Sequence, residues 1–153
     1  MSQPSVSVII PAYNAQSTIA RALQSVADQT FQATEVIVID DASTDNTIEK
    51  VVEYSKNSKI AIQLLHSNRN AGPGSARNRG WDISSGEFIA FLDADDVWHP
   101  RKLEIQVREM QTYSSFVMSC HERIVSRSHK FPSFDQSNVL TRELGLNDFI
   151  IKN

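Results

Sequence analysis

Two groups of carboxylates stand at the ends of apolar runs. Phe88-Ile89-Ala90-Phe91-Leu92 leads into Asp93-Ala94-Asp95-Asp96, and Val36-Ile37-Val38-Ile39 leads into Asp40-Asp41. Negative charge set directly against buried hydrocarbon is costly unless it lies at the open end of a strand and meets a cation or a donor. In an extended segment Asp93 and Asp95 face one way and Asp96 another, an arrangement suited to a divalent metal beside a ligand. The plainer role for Asp95 and Asp96 is to cap the next turn; the second acidic pair elsewhere in the chain favours the metal reading. For Asp40 and Asp41 a capping role is already supplied by Ser43, Thr44 and Asp45, so a binding role for at least one of them is expected. Three further features belong with these. Tyr13 and Asn14 follow another apolar run, and an aromatic there can stack on a flat ring. Ala71-Gly72-Pro73-Gly74 opens onto a segment carrying Arg77 and Arg79. Backbone amides of such a loop can approach an anion, with both arginines expected on the helix's first turn; the loop is neither a Walker nor a dinucleotide fingerprint. His66 and His99 lack a partner His at ligand spacing and are expected in loop or cap roles.

The elements that must position these groups alternate. A strand is expected from Ser5 to Ile10, closed by Pro11, with a loop over residues 12–16 and a helix capped by Ser17 or Thr18 with Ile19, Leu23, Val26 and Ala27 inward. The second unit is a strand from Glu35, the acidic pair, and a helix with Ile48, Val51, Val52 and Ser55 on one face. A third strand spans residues 60–66, followed by the glycine-rich loop and a helix carrying Trp81 and Ile83. The run from Phe88 to Leu92 reads as a central strand buried on both faces, and Pro100 opens a fourth helix with Leu103, Val107 and Met110 inward. Strands alternating with helices predict an α/β fold, a largely parallel sheet whose ligand crevice lies at the strands' carboxyl ends. Tyr13, Asp40 and Asp41, Arg77, and Asp93 and Asp95 all map to that edge. An aromatic for a base, carboxylates for its ring N–H and for ribose hydroxyls, and a carboxylate-held Mg²⁺ or Mn²⁺ for a diphosphate make a nucleotide pocket.

Composition narrows the alternatives. The 153 residues suit one domain; 15 Lys plus Arg against 18 Asp plus Glu give a net charge of −3, with no basic excess to serve a nucleic acid. Cys120 is the single cysteine, which excludes an internal disulfide and a thiolate cluster. The first residues lack the basic and apolar regions of a secretory signal, and no run reaches the roughly 18 apolar residues of a membrane span. A cytoplasmic location is expected, with peripheral membrane association open. Residues 116–125 suggest one or two short strands and residues 141–151 a short helix; the chain stops without an evident closing element, so a longer protein is expected.

Four of these stretches together resemble a known family. Val6-Ser7-Val8-Ile9-Ile10-Pro11-Ala12-Tyr13-Asn14, Val38-Ile39-Asp40-Asp41-Ala42-Ser43-Thr44-Asp45, Ala76-Arg77-Asn78-Arg79-Gly80 and Gly86-Glu87-Phe88-Ile89-Ala90-Phe91-Leu92-Asp93-Ala94-Asp95-Asp96 look, in order and spacing, like the nucleotide-binding half of the family 2 glycosyltransferases. The resemblance covers roughly the first 110 residues. It implies a GT-A, Rossmann-like fold and inverting transfer of a sugar from a nucleotide-sugar, usually UDP-linked, to a carbohydrate or lipid-linked acceptor, as in surface polysaccharide synthesis. Carried over by position, Pro11, Ala12 and Tyr13 border the base and Asp41 hydrogen-bonds it; Arg77 lies near the nucleotide and Asp93 near the ribose. Asp95, last residue of the Asp-x-Asp motif, holds the Mn²⁺ or Mg²⁺. The family's general base, an Asp or Glu, comes from a later segment. Glu122 and Asp135 match by residue type only, so the base is expected beyond Asn153. Residues 1–115 then form the donor-binding domain and residues 116–153 the start of the acceptor side. The competing readings are a nucleotide-binding module without catalysis and a receiver-like signalling domain, which would need a Lys at a nearby strand end.

Overall fold

The computed structural model describes residues 3–113 and residue 119; the short strands and helix expected after residue 115, with Cys120, Glu122 and Asp135, lie outside them. Eight elements alternate: β1 Val6–Ala12, α1 Ile19–Ala27, β2 Glu35–Asp40, α2 Thr47–Ser55, β3 Ala61–His66, α3 Pro73–Ile83, β4 Phe88–Phe91 and α4 Lys102–Thr112. The four strands pair in parallel in the order β3-β2-β1-β4.

Alternation along the strands assigns the faces. Val6, Val8, Ile10 and Ala12 of β1, Val36 and Val38 of β2, and Phe88 and Ala90 of β4 pack with Ile19, Leu23 and Val26 of α1, Val51 of α2, and Leu103, Val107 and Met110 of α4. Ile37 and Ile39 turn the other way and pack on Ala76 of α3. One face of the sheet therefore carries three helices and the other carries α3. The latter approach is close because Gly80 lies over Ile9: a Cβ on Gly80 would fall 2.4 Å from Ile9 Cγ2. Trp81 and Phe91 close the same layer, their ring centroids 6.2 Å apart.

Several local expectations are corrected. Pro11 does not end β1; the strand runs on through Ala12, opposite Ile39 and Asp40. Ile9 accepts from Leu92 N–H, so residues 9 and 11 face β4, which ends at Phe91 opposite Ile9. The missing Pro11 N–H thus points where no ladder partner remains, and no bond is lost. β4 is not flanked on both sides: among the described residues it pairs with β1 alone, and α3 and α4 cover its faces. In α2 the inward residues are Thr47 and Val51, whereas Val52 is exposed. α3 begins at Pro73, four residues before Arg77, so neither Arg77 nor Arg79 lies on its first turn. Pro100 precedes α4, whose N-cap is Arg101; His99 Nδ1 accepts from Arg101 N–H at 3.2 Å, the cap role expected of it. Thr18 is the N-cap of α1 by position, yet its hydroxyl donates backward to Ala15 O rather than accepting from the helix.

Candidate functional site

The carboxyl edge of the sheet is built from four loops, one after each strand. After β1, Asn14 adopts a left-handed φ of 49°, a conformation that Asn tolerates better than most residues. Its N–H donates to Ser43 Oγ at 2.9 Å, and its Oδ1 accepts from Thr44 N–H at 2.9 Å. Two further bonds join the same loops: Ala15 N–H to Thr47 Oγ1 at 2.7 Å and Gln16 N–H to Asp45 Oδ2 at 3.1 Å. Desolvation tends to raise the Asp45 carboxyl, but donors from Thr47 and Gln16 outweigh it and hold the group below the usual carboxylate range. Tyr13, between Ala12 and Asn14, stands 51% exposed, its backbone fixed on both sides and its ring open.

After β2 the chain continues through Asp41, whose N–H donates to Ala12 O at 2.8 Å, into Ala42 at φ 63°. Following Ile37 and Ile39, the Asp41 side chain turns to the α3 face. It is only 4% exposed and accepts from Gly72 N–H at 2.7 Å and from Ala71 N–H at 3.0 Å. The glycine-rich loop does bring its amides to an anion, as expected, but that anion is the chain's own Asp41. Gly72, at φ 87°, supplies the turn that a side chain would resist.

After β4 the acidic stretch is not extended. Asp96 N–H donates to Asp93 O at 3.0 Å, closing a turn, so the argument that Asp93 and Asp95 share a face does not hold. Asp93 projects to α3 and pairs with Arg77, Nη2 to Oδ1 at 2.5 Å. Both side chains are partly exposed, so the pair is inexpensive to open. Asp95 is exposed and its carbonyl accepts from Arg21 Nη2 at 3.0 Å; its carboxylate has no hydrogen bond or ion pair among the described residues.

A chain of contacts therefore runs from Ala12 to Asp41, from Asp41 to the start of α3, and from Arg77 of α3 to Asp93. Pro11, Ala12, Tyr13, Asp41, Arg77 and Asp93 come together along one edge, mostly on the α3 side, with Asp95 at the far end of the last turn. Sequence reasoning missed Arg21, and it misplaced His66: instead of a loop or cap role, His66 ends β3 with its Nδ1 2.8 Å from Asp40 Oδ2. No spacing signal marks such a contact between strands. Among the described residues no Lys lies on a strand. No described helix is long and apolar enough to cross a membrane.

The chain is similar to known proteins. The family model described as "Glycosyl transferase family 2" matches residues 7–150. The chain belongs to that family. This family 2 domain is 43% identical over 124 residues to the Escherichia coli UDP-Glc:alpha-D-GlcNAc-diphosphoundecaprenol beta-1,3-glucosyltransferase WfgD, covering 80% of the chain and 48% of the relative. It matches S. aureus TarS 1-349 in complex with UDP at TM-score 0.67 and 33% identity, over 81% of the chain and 38% of TarS. It also matches the Pyrobaculum calidifontis mannosyltransferase PcManGT in complex with GDP-Man and Mn²⁺, at TM-score 0.72 and 28% identity, over 80% of the chain and 37% of that protein. The family 2 domain thus has the GT-A fold, and it spans about half the length of WfgD and less of the two solved proteins.

Proposed function

We propose that these residues are the donor-binding part of a glycosyltransferase that moves a sugar, with inversion, from a nucleoside diphosphate sugar to an acceptor hydroxyl. The observation that carries this reading is the convergence of Tyr13, Asp41, Arg77 and Asp93 on one edge of a family 2 domain. UDP is the favoured carrier, supported by the UDP complex of TarS and the UDP-Glc donor in the name of WfgD. Tyr13 stacks on the base, with Pro11 and Ala12 as its floor. Asp41 keeps lone pairs beyond those committed to Ala71 and Gly72 and accepts the base N–H. Arg77 and Asp93 exchange their mutual contact for a phosphate oxygen and a ribose hydroxyl.

The donor set fits a divalent metal of the kind held by one carboxylate plus phosphate oxygens and water. Asp95 offers that carboxylate, exposed and unpaired. Among the described residues no three His, Cys, Asp or Glu side chains gather to form a complete cage, and phosphate oxygens and water would complete the coordination of a metal held by Asp95. When bound, Mn²⁺ or Mg²⁺ neutralises charge on the departing diphosphate. The bond formed is acceptor oxygen to anomeric carbon; the bond broken is anomeric carbon to phosphate oxygen, and the acceptor proton passes to a base in a later segment. The acceptor side begins near residue 116, and a lipid-linked sugar acceptor, of the kind in the name of WfgD, fits a place in surface polysaccharide synthesis. UDP is expected to raise the melting temperature, more so with Mn²⁺, and Asp95→Ala to abolish the metal's share. No nucleotide effect with any divalent ion would overturn the proposal.

A further inference from the structure

We propose that His66 and Asp40 are positioning residues for nucleotide recognition, bracing from the opposite face of the sheet the turn that carries Asp41. The inference rests on the reading of Asp41 as the group that accepts from the base.

Asp40 follows Val36 and Val38 and therefore points to the face covered by α1, α2 and α4, away from Asp41. Its side chain is fully buried. Oδ2 accepts from Ser43 N–H at 3.1 Å and lies 2.8 Å from His66 Nδ1, while Oδ1 has no partner among the described residues. In the tautomer that carries the proton on Nδ1, His66 donates and the carboxylate accepts. His66 is the Cα partner of Asp40 across the β2–β3 ladder, and Ser67 N–H donates to Asp40 O at 2.8 Å, clamping the two strand ends together.

The clamp has a purpose beyond holding a sheet together. A buried carboxylate is an expensive way to do that, since apolar side chains of similar size stabilise as well or better. What this one holds is Ala42, a left-handed residue that is neither Gly nor Asn. Such a conformation is strained and persists only where its surroundings fix it. Here the bonds fall on both sides of Ala42: Asp41 N–H to Ala12 O before it, and Ser43 N–H to Asp40 Oδ2 after it. Ser43 in turn receives Asn14 N–H, next to Tyr13. The Asp40–His66 pair touches neither Tyr13 nor the Asp41 carboxylate, yet it sets the backbone from which both project. His66 is half-exposed at the strand end, so its replacement opens no core cavity.

Two amide replacements separate positioning from general support. Asn places its Nδ2 near where Nδ1 stood and keeps the donor to Asp40; Gln reaches past it. Binding of UDP with Mn²⁺ and of inorganic pyrophosphate with Mn²⁺ is measured by calorimetry for wild type, His66→Asn and His66→Gln. His66→Gln is expected to weaken UDP about tenfold and leave pyrophosphate unchanged, whereas His66→Asn stays within about twofold of wild type. Equal behaviour of Asn and Gln, or equal loss of UDP and pyrophosphate, would overturn the positioning role. A wild-type chain that gains nothing from uridine over pyrophosphate would instead overturn the nucleotide reading itself, and the inference with it.

Discussion

Lys102 opens α4 as a charged residue in an apolar place: it is 8% exposed, and its Nζ sits 3.7 Å from the centre of the Trp98 ring. Burial pushes its ammonium down to about 7, with the indole face as partial compensation. The folded state therefore binds the Lys102 proton less tightly than the unfolded chain, whose Lys titrates near 10.4. Between those values the unfolded state carries more proton, so this group makes stability rise with pH from about 7 to about 10.4, and its penalty is full below that window. Lys102→Met is expected to stabilise the protein at pH 7 by on the order of 1–3 kcal/mol and to flatten that rise. Urea melts at pH 7 and pH 10 check both parts; a variant less stable than wild type at pH 7 would contradict them. Nothing in the sequence marks Lys102 as buried, because its burial comes from the packing of α4 against the sheet and from Trp98. The same limit applied to Asp41. Its residue type and place at a strand end were legible, but its bonds to Ala71 and Gly72 join positions about thirty residues apart, a separation that no spacing rule covers.

At the scale of elements, α3 decides the shape of the site, since it carries Gly72 to Asp41 and Arg77 to Asp93. Its seat on β1 depends on Gly80. Judged by helix propensity alone, Gly80→Ala should stabilise by up to about 1 kcal/mol. The contact with Ile9 reverses the sign: the new methyl has no room, and an overpacked core costs about 1–3 kcal/mol. The expected outcome is a lower denaturation midpoint for Gly80→Ala, with a smaller cost in an Ile9→Ala background; additive effects in the double mutant would contradict the packing account. The apolar runs of β1, β2 and β4 and the heptad-like stripe of α4 were readable because burial on both faces leaves little else possible. Where the reading failed, tertiary context had intervened. β1 continues through Pro11 because β4 has already ended on that side. α2 turns Val52 outward because Thr47, tied to Ala15, sets the helix's rotation. Ala42 gives no sign of its left-handed turn, since its residue type would be at home in a helix.

On the scale of the whole molecule, parallel strands gather residues from four loops onto one edge, and the α/β alternation made that edge foreseeable. What the alternation could not supply was the division of the edge by the sheet itself: Asp41, Arg77 and Asp93 on the α3 side, Asp40 and His66 beneath. The α3 side of this edge is expected to receive a nucleoside diphosphate with its metal. A crystal structure of the chain with UDP and Mn²⁺ tests it directly. The predicted result is a uracil against Tyr13 with its N–H directed at Asp41, a ribose at Asp93 in place of Arg77, and Mn²⁺ bridging Asp95 and the diphosphate. UDP bound elsewhere, or Mn²⁺ held without Asp95, would contradict it.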